Sequence, residues 1–441
     1  MDTNAPKTPA TLPFAAWQSM APAAAARELQ TRIAALPAAL RKAAVAWLRP
    51  EAELVAQLQA AAAGSPLRGV PYLLKDLFDL AGVPTRAGSI FLDKIRPLPA
   101  RDSRIADDLH HHGAVCAGKT HLVEFASGLT GENPHYGDCP HPRFPDRLAG
   151  GSSSGSAALV AAGVVPLAIG TDTGGSVRVP AAWCGLYGFR LTPGDHLITD
   201  AFPLAPTMDT AGWFTASATD MLATWQALVG RTNPPKVPTA TMAITTRPED
   251  SPYRGCYLSA RRLVPEMSEA VATACDYAAA SMTDRADSAT ESSLLSSWRD
   301  AVESYVTIGM SEAHAVHRDW LAPYHEHYDP IIWRRFTDAG HFPPEQVNHA
   351  RQRLAEIRAT WREFFRTHDF LVLPAVPSPA PTKAEATVEL RRNILTLTAP
   401  ASLGGLPVFS VPVSLKSGLT VGLQVVLPSA DSPIVPWLLN R

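Results

Sequence analysis

The sequence has no excess of either charge and no apolar run long enough to span a membrane. Its 39 Lys and Arg residues nearly balance 41 Asp and Glu residues, for a net charge of −2. Proteins that bind nucleic acid or a membrane surface usually carry a basic excess. The longest apolar run is broken by Gly163 and Pro166, too early for a membrane-spanning helix. We therefore expect neither nucleic acid nor a membrane as a partner.

Cysteines are few, and a signal peptide is not apparent. The five cysteines are scattered and odd in number, a pattern that favours reduced thiols over a disulfide framework. Residues 1–14 are rich in Pro and Thr and lack the basic and apolar stretches of a signal peptide. We therefore expect a cytoplasmic protein whose residues 1–14 form a mobile tail.

The residues that are present predict one α/β domain over residues 15–441. Hydrophobic residues make up 46% of the chain and charged residues 18%, as in a globular protein. Helical and strand-like segments alternate over residues 66–190, which indicates an α/β sheet. Before them, an alanine-rich stretch predicts two or three helices. Further segments predict long helices at 292–320 and 344–368, a variable surface region at about 231–330, and closing strands at about 370–428.

The most informative stretch, residues 149–193, places two Ser- and Gly-rich loops on either side of one apolar segment. Ser152 lies in the first loop and Ser176 in the second. The second loop follows a predicted buried strand, and α/β sheets place catalytic groups at the carboxyl ends of such strands. Its glycines, Gly174 and Gly175, would let backbone N–H groups approach a developing anion. The pattern predicts a loop that carries a nucleophile.

A second apolar run ends in a lysine that can act as a base. Residues 69–74 predict a buried strand, followed by Lys75 and Asp76. A buried lysine must find partners or lose its proton. A neutral amine beside a serine hydroxyl is a general base.

These segments resemble the amidase signature family, whose members are serine hydrolases with a Ser-cisSer-Lys triad. The matching motifs are GGSSSGS at 150–156, GTDTGGSVRVP at 170–180 and LKD at 74–76, in the family's order. The resemblance runs from about residue 66 to 193, returns at 204–214 to complete a signature core, and returns again at 398–428. It implies a single-domain fold with a central mixed β-sheet covered by helices on both faces.

The resemblance also implies a mechanism without a metal or organic cofactor. Ser176 would attack a carboxamide and form an acyl-enzyme, Ser152 would relay the proton to Lys75, and ammonia or a small amine would leave. The other implied site residues are the oxyanion-hole amides of Thr173, Gly174, Gly175 and Ser176, the supporting Asp172 and Arg178, and the substrate contacts Ser127, Gly128 and Trp213. A small-molecule amide is the expected partner, and a homodimer is compatible with the chain.

Two alternative enzymes remain open. The family includes the glutaminase A-type subunit of a tRNA-dependent amidotransferase, which acts with a partner subunit. The segment GSSSG also matches the nucleophile elbow of an esterase with a Ser-His-Asp triad, in which Ser153 would attack. An elbow must follow a buried strand, whereas residues 143–149 are polar and broken by Pro145, so the esterase is the weaker hypothesis.

Overall fold

The computed structural model describes residues 10–61, 63–230 and 251–440. Their strands form one mixed sheet of ten strands, in the order β1-β3-β2-β4-β6-β5-β9-β10-β8-β7. The strands are β1 (Val45–Leu48), β2 (Pro71–Lys75), β3 (Val115–Thr120), β4 (Leu167–Thr171), β5 (Tyr187–Arg190), β6 (Ala211–Thr215), β7 (Gly255–Tyr257), β8 (Phe370–Pro374), β9 (Val408–Ser414) and β10 (Thr420–Val426).

Both faces of the sheet are covered. Successive strand residues point to opposite faces, and in β2 Tyr72 and Leu74 belong to one hydrophobic cluster whereas Leu73 belongs to another. The predicted α/β fold with a mixed sheet is therefore confirmed. The helices are α1 (Phe14–Ser19), α2 (Pro22–Ala34), α3 (Ala38–Ala44), α4 (Glu51–Ala60), α5 (Leu92–Ile95), α6 (Arg104–His111), α7 (Ser154–Ala161), α8 (Arg178–Cys184), α9 (Ala218–Leu228), α10 (Ala260–Leu263), α11 (Glu269–Ala280), α12 (Ser288–Ser297), α13 (Ala301–His317), α14 (Pro330–Ala339), α15 (Pro344–Phe364), α16 (Val388–Gly404) and α17 (Ile434–Leu439).

The N-terminal region differs from the prediction of two or three helices. Its described residues, 10–61 and 63–65, contain four helices and the strand β1, which pairs antiparallel with β3. The strand forms because a partner from another part of the chain supplies its hydrogen bonds, and local pattern does not reveal such a partner. Residues 1–9 of the predicted tail lie outside the described residues, whereas Phe14 is buried at the start of α1.

The predicted helix over 292–320 is two helices in the structure. The chain leaves helical geometry between α12 and α13, where Trp298 is buried against Trp361 with ring centroids 5.3 Å apart. In the predicted variable surface region, residues 231–250 lie outside the described residues. The remainder includes β7, which pairs in parallel with β8, so part of this region belongs to the sheet.

The fold brings the ends of two parallel strands to one edge. β2 runs between β3 and β4 and is parallel to both, so Lys75 and Thr171 end neighbouring strands. Among the described residues, no helix combines the length and apolar character needed to cross a membrane. All five cysteines are buried free thiols.

Candidate active site

Lys75 lies at the carboxyl end of β2, fully buried and surrounded by hydroxyl groups. Its ammonium Nζ donates hydrogen bonds to Thr171 Oγ1 at 2.7 Å, Ser152 Oγ at 2.8 Å and Ser153 Oγ at 2.9 Å. These contacts use all three N–H bonds of an ammonium group. No carboxylate of the described residues lies within 4.0 Å of Nζ, so no ion pair holds the proton on this lysine.

The environment of Lys75 favours the neutral amine. Burial lowers the pKa of Lys75 from 10.5 to about 7, although the negative charges of Asp172 and Asp209 oppose this change. At neutral pH the Lys75 amine is therefore unprotonated in a large fraction of the molecules. The group is suited to accept a proton from a neighbouring hydroxyl.

The two serines that contact Lys75 differ in their other bonds. The Ser153 hydroxyl donates to the backbone oxygen of Thr171 at 3.0 Å, so its proton is already engaged. Among the described residues, the Ser152 hydroxyl has Lys75 as its one hydrogen-bond partner. The Gly151–Ser152 peptide bond is cis. Ser152 is thus the hydroxyl that is free to pass a proton onward.

The position of Ser153 does not suit a nucleophile elbow. Ser153 precedes α7 and follows irregular chain, with no strand before it, and its side chain is fully buried. An elbow needs an exposed hydroxyl on a tight strand-to-helix turn. The geometry therefore argues against the esterase with Ser153 as nucleophile.

Asp172 holds the second serine loop in place from inside. Its carboxylate accepts from the N–H of Gly175 at 2.8 Å and of Val177 at 3.0 Å. Burial alone would raise its pKa, but the guanidinium groups of Arg178 and Arg190, each 2.9 Å from Oδ1, hold the pKa of Asp172 well below its usual range. The carboxylate stays ionised and fixes the loop from β4 to α8.

Helix α16 holds the other side of this loop. Thr398 Oγ1 donates to the carbonyl oxygen of Gly174 at 2.6 Å. Arg178 in turn donates to the backbone oxygen of Thr398 at 2.8 Å, to Ser402 Oγ at 2.7 Å and to Gln424 Oε1 at 3.0 Å. The peptide group between Gly174 and Gly175 is therefore bonded at its oxygen by Thr398 and at its N–H by Asp172.

Three of the four N–H groups expected to form an oxyanion hole are free to donate a hydrogen bond. Those of Thr173, Gly174 and Ser176 have no acceptor among the described residues. The fourth, of Gly175, already donates to Asp172, so the expected set of four donors is reduced to three. The Ser176 hydroxyl likewise has no hydrogen-bond partner in the described part of the chain, and the residue is buried.

Tyr305 of α13 lies against Gly174 of the loop that carries Ser176. A Cβ atom at Gly174 would collide with the Tyr305 hydroxyl and ring, so the phenol lies directly over this glycine. Burial raises the pKa of Tyr305 well above its ordinary value, with further increases from Asp172 and Asp209. The hydroxyl therefore remains neutral and able to donate. An aromatic residue at this position is compatible with a pocket, but no local pattern predicts the contact.

The segment 123–131 wraps around the cis peptide and includes two expected substrate contacts. The Val123 N–H donates to Ser152 O at 3.1 Å, and the Gly151 N–H donates to Leu129 O at 2.8 Å. Ser127 and Gly128 lie between these two bonds, beside the loop that carries Ser152. Phe125 and Ala126 have positive φ values of 48° and 59°, and such backbone strain is typical of functional sites.

Trp213, the third expected substrate contact, is a core residue. It lies in β6 with no exposed surface, stacks on Phe189 with ring centroids 5.1 Å apart, and donates its indole N–H to Met221 Sδ at 3.1 Å. A side chain packed on all sides in the sheet has no surface for a ligand. The expectation for Trp213 is therefore wrong.

Comparisons with known proteins agree with this arrangement. The family model described as Amidase matches residues 24–432. AtzE of Pseudomonas sp. (strain ADP), which belongs to a 1-carboxybiuret hydrolase, is 31% identical over 388 residues, which cover 82% of this chain and 80% of that protein. The A-type subunit of the glutamyl-tRNA(Gln) amidotransferase of Marinobacter nauticus is 30% identical over 417 residues, which cover 85% of this chain and 84% of that protein.

A solved structure is similar over nearly the whole chain. The crystal structure of an amidase superposes with a TM-score of 0.75 at 31% identity, covering 95% of this chain and 98% of that chain. The family match extends well beyond the three short motifs and includes the closing strands. With its serine and lysine side chains grouped at one sheet edge, this chain belongs to the amidase signature family of hydrolases.

Proposed function

We propose that this enzyme hydrolyses a carboxamide through an acyl-enzyme on Ser176, with Ser152 as proton relay and Lys75 as general base. The observation that carries the proposal is the set of hydroxyl contacts made by Lys75, which has no carboxylate partner among the described residues and a pKa lowered to about 7. A lysine held in this way serves as a base at neutral pH.

In the first half of the reaction, the Ser176 oxygen attacks the amide carbon. The Ser176 proton moves to Ser152 Oγ while the Ser152 proton moves to neutral Lys75. The carbonyl oxygen becomes an oxyanion that accepts hydrogen bonds from the N–H groups of Thr173, Gly174 and Ser176. Loss of one such donor costs about 3–4 kcal/mol of barrier in comparable enzymes.

In the second half, the intermediate expels the amine. Lys75 returns its proton to Ser152, and Ser152 passes a proton to the leaving nitrogen as the C–N bond breaks. A water molecule then attacks the Ser176 ester with the same relay, releasing the carboxylic acid and restoring the serine. Asp172 and Arg178 support these steps by fixing the loop, without taking part in bond changes.

A second candidate function is that of a glutaminase subunit in a tRNA-dependent amidotransferase. The similarity to the A-type subunit of that enzyme in Marinobacter nauticus favours it. Under this alternative, amide hydrolysis would require a companion subunit. Under the main proposal, the isolated chain releases ammonia from a simple amide unaided, so an assay of the purified chain separates the two.

The roles of the serines are tested by a matched pair of substitutions. Ser176→Ala should abolish ammonia release, because it removes the atom that forms the covalent bond. Ser153→Ala should retain measurable turnover, since this hydroxyl is bonded to Thr171. A fluorophosphonate probe should label residue 176, as located by mass spectrometry. A dead Ser153→Ala enzyme together with an active Ser176→Ala enzyme would overturn the proposal.

A further inference from the structure

The peptide group that carries the N–H of Thr173 is bonded to Thr210 at its other end. This group joins Asp172 to Thr173, and its carbonyl oxygen, Asp172 O, accepts the Thr210 hydroxyl at 2.7 Å. The Asp172 N–H donates in turn to the backbone oxygen of Thr210 at 2.9 Å, which extends the pairing of β4 with β6 one residue beyond Thr171 and Ala211. Because the N–H and the carbonyl oxygen of a trans peptide point in opposite directions, these bonds fix the group and leave its N–H free.

Asp209 holds the side chain of the same residue. Its Oδ1 accepts the Thr173 hydroxyl at 2.5 Å, and its Oδ2 accepts the N–H groups of Leu204 at 2.8 Å and Ala205 at 3.0 Å. Hydrogen bonds to an ionised acceptor are stronger than neutral ones, so they restrict the position of the Thr173 side chain. Two adjacent residues, Asp209 and Thr210, thus hold both the side chain and the peptide group of Thr173; we call them the 209–210 clamp.

Asp209 is a costly residue to bury at this place. It is 7% exposed, and in the part of the chain that the structure describes no cation forms an ion pair with it. Burial raises the pKa of Asp209, and its hydrogen bonds with Thr173, Leu204 and Ala205 oppose that rise. Ionisable groups with shifted pKa values are concentrated at functional sites. The burial of this carboxylate therefore agrees with a role in the active site.

The clamp acts on the reaction only through Thr173. Thr210 has no exposed surface, and its hydroxyl proton is engaged by Asp172 O. The Asp209 oxygens are engaged by three donors. A carbonyl oxygen that accepts a hydrogen bond polarises its peptide group and makes the N–H at the other end a better donor. The bond from Thr210 therefore both orients and strengthens the Thr173 N–H.

We infer that Asp209 and Thr210 are positioning residues of the oxyanion hole, which direct the Thr173 N–H at the oxygen of the tetrahedral intermediate. This inference rests on the proposed function, in which that N–H is one of three donors. The clamp takes no part in the bond changes. Its effect on rate is large because an oxyanion donor has to lie where the charged oxygen will form, and a displacement of about 1 Å costs about a hundredfold in comparable sites.

The first test removes the Thr210 hydroxyl with little change of shape. Thr210→Val should lower kcat about tenfold or more and change KM little, because the donor acts mainly on the oxyanion. Thr210→Ser keeps a hydroxyl and should recover most of the lost rate. The matched control is Thr224→Val, which removes another fully buried hydroxyl, bonded to Asp220 O within α9, and should leave kcat unchanged. An unchanged kcat in Thr210→Val, or an equal loss in the control, would overturn the inference.

Inhibition by phenylboronic acid distinguishes a misplaced donor from a general loss of structure. When the Ser176 oxygen adds to the boron atom, the adduct is tetrahedral and negatively charged, and it resembles the intermediate. The inhibition constant should weaken in Thr210→Val by about the factor by which kcat falls. Partial unfolding would lower the number of active molecules but leave the inhibition constant of the remainder unchanged. A lowered kcat with an unchanged inhibition constant would therefore overturn the positioning role.

The role of Asp209 is tested from both sides of its bond with Thr173. Thr173→Val and Asp209→Ala should each lower kcat and weaken inhibition by phenylboronic acid, and the double variant should be little slower than Asp209→Ala alone. Thr173→Val leaves the bonds of Asp209 with Leu204 and Ala205 in place, so it remains decisive if Asp209→Ala does not fold. A fully active Thr173→Val enzyme would overturn the role of Asp209. A slow Thr173→Val enzyme beside a fully active Asp209→Ala enzyme would do the same, because the hydroxyl would then act by itself.

The Ser176→Ala protein separates failure of this inference from failure of the proposed function. Phenylboronic acid should not bind to it measurably in calorimetry, because the oxygen that adds to boron is gone. Undiminished binding, or hydrolysis of the amide by Ser176→Ala, would overturn the proposed function. Inhibition that depends on Ser176 but is equal in the wild type and Thr210→Val would overturn the clamp alone.

Discussion

Burial of the Lys75 ammonium group has a cost in stability that can be measured. Its pKa is 10.5 in the unfolded chain and about 7 in the folded protein. Between these values the unfolded chain binds more protons than the folded protein, so the free energy of unfolding rises with pH. The cost is fully present below pH 7 and disappears as the pH rises through 10.5. From one pKa unit of about 1.4 kcal/mol, the difference between pH 6 and pH 9 is about 3 kcal/mol.

Lys75→Met isolates this contribution. The loss of the hydroxyl contacts is the same at both pH values, but the variant has no ammonium to desolvate. The stability of the variant relative to the wild type should therefore be about 3 kcal/mol more favourable at pH 6 than at pH 9. Urea unfolding of both proteins at both pH values measures the four free energies. A difference independent of pH would refute a strongly lowered pKa for Lys75.

Under the proposed function, the same pKa should set the pH dependence of catalysis. With a pKa of about 7, the neutral fraction of Lys75 is about one tenth at pH 6 and about nine tenths at pH 8. The value of kcat/KM should therefore rise about tenfold over this interval with one ionisation. Lys75→Arg should not restore activity, since its guanidinium remains charged. A Lys75→Ala enzyme that keeps both its rate and its ionisation would exclude Lys75 as the base.

Three further predictions concern residues around the loop that carries Ser176. Thr398→Val should lower kcat about tenfold or more with a smaller change in KM, because the carbonyl of Gly174 loses its donor. The control is Thr396→Val, since Thr396 lies on the same helix and its hydroxyl is bonded only to the backbone of that helix. Gly174→Ala should inactivate the enzyme by collision with Tyr305, and adding Tyr305→Ala should restore part of the ammonia release if that collision is the cause. Asp209→Asn should move the midpoint of the pH profile to lower pH, because the negative charge of Asp209 raises the pKa of Lys75; a shift to higher pH would contradict this electrostatic account.

Short-range patterns were enough to predict the strands that carry the site. The apolar runs before Lys75 and Asp172 are bounded by glycine and polar residues, and they form β2 and β4 as expected. The motif order placed Lys75, Ser152 and Ser176 in one site, and the contacts of Lys75 with Ser152 agree with it. The catalytic roles of these residues, the homodimer and the domain boundaries stay predictions.

Long-range partners explain what the sequence could not predict. Arg190 is hidden in the strand-like segment YGFR, and its pairing with Asp172 depends on β5 lying two strands from β4. Trp213 seemed a pocket residue because aromatic residues occur both in pockets and in cores, and only the register of β6 with β5 decides between them. The contact between Tyr305 and Gly174 joins segments more than one hundred residues apart and has no local signature.

Helix α16 anchors the loop that carries Ser176, and this bears on when a newly made chain becomes active. Gly174 is fixed through Thr398, and Arg178 reaches Ser402 and Gln424, and all three partners lie more than two hundred residues further along the chain than Ser176. During synthesis from the N-terminus, Lys75, Ser152 and Ser176 leave the ribosome more than two hundred residues before these anchors do. A nascent chain that ends before these anchors therefore carries all three side chains but not the bonds that fix the loop, so we expect hydrolytic competence only after residue 424 has been synthesised.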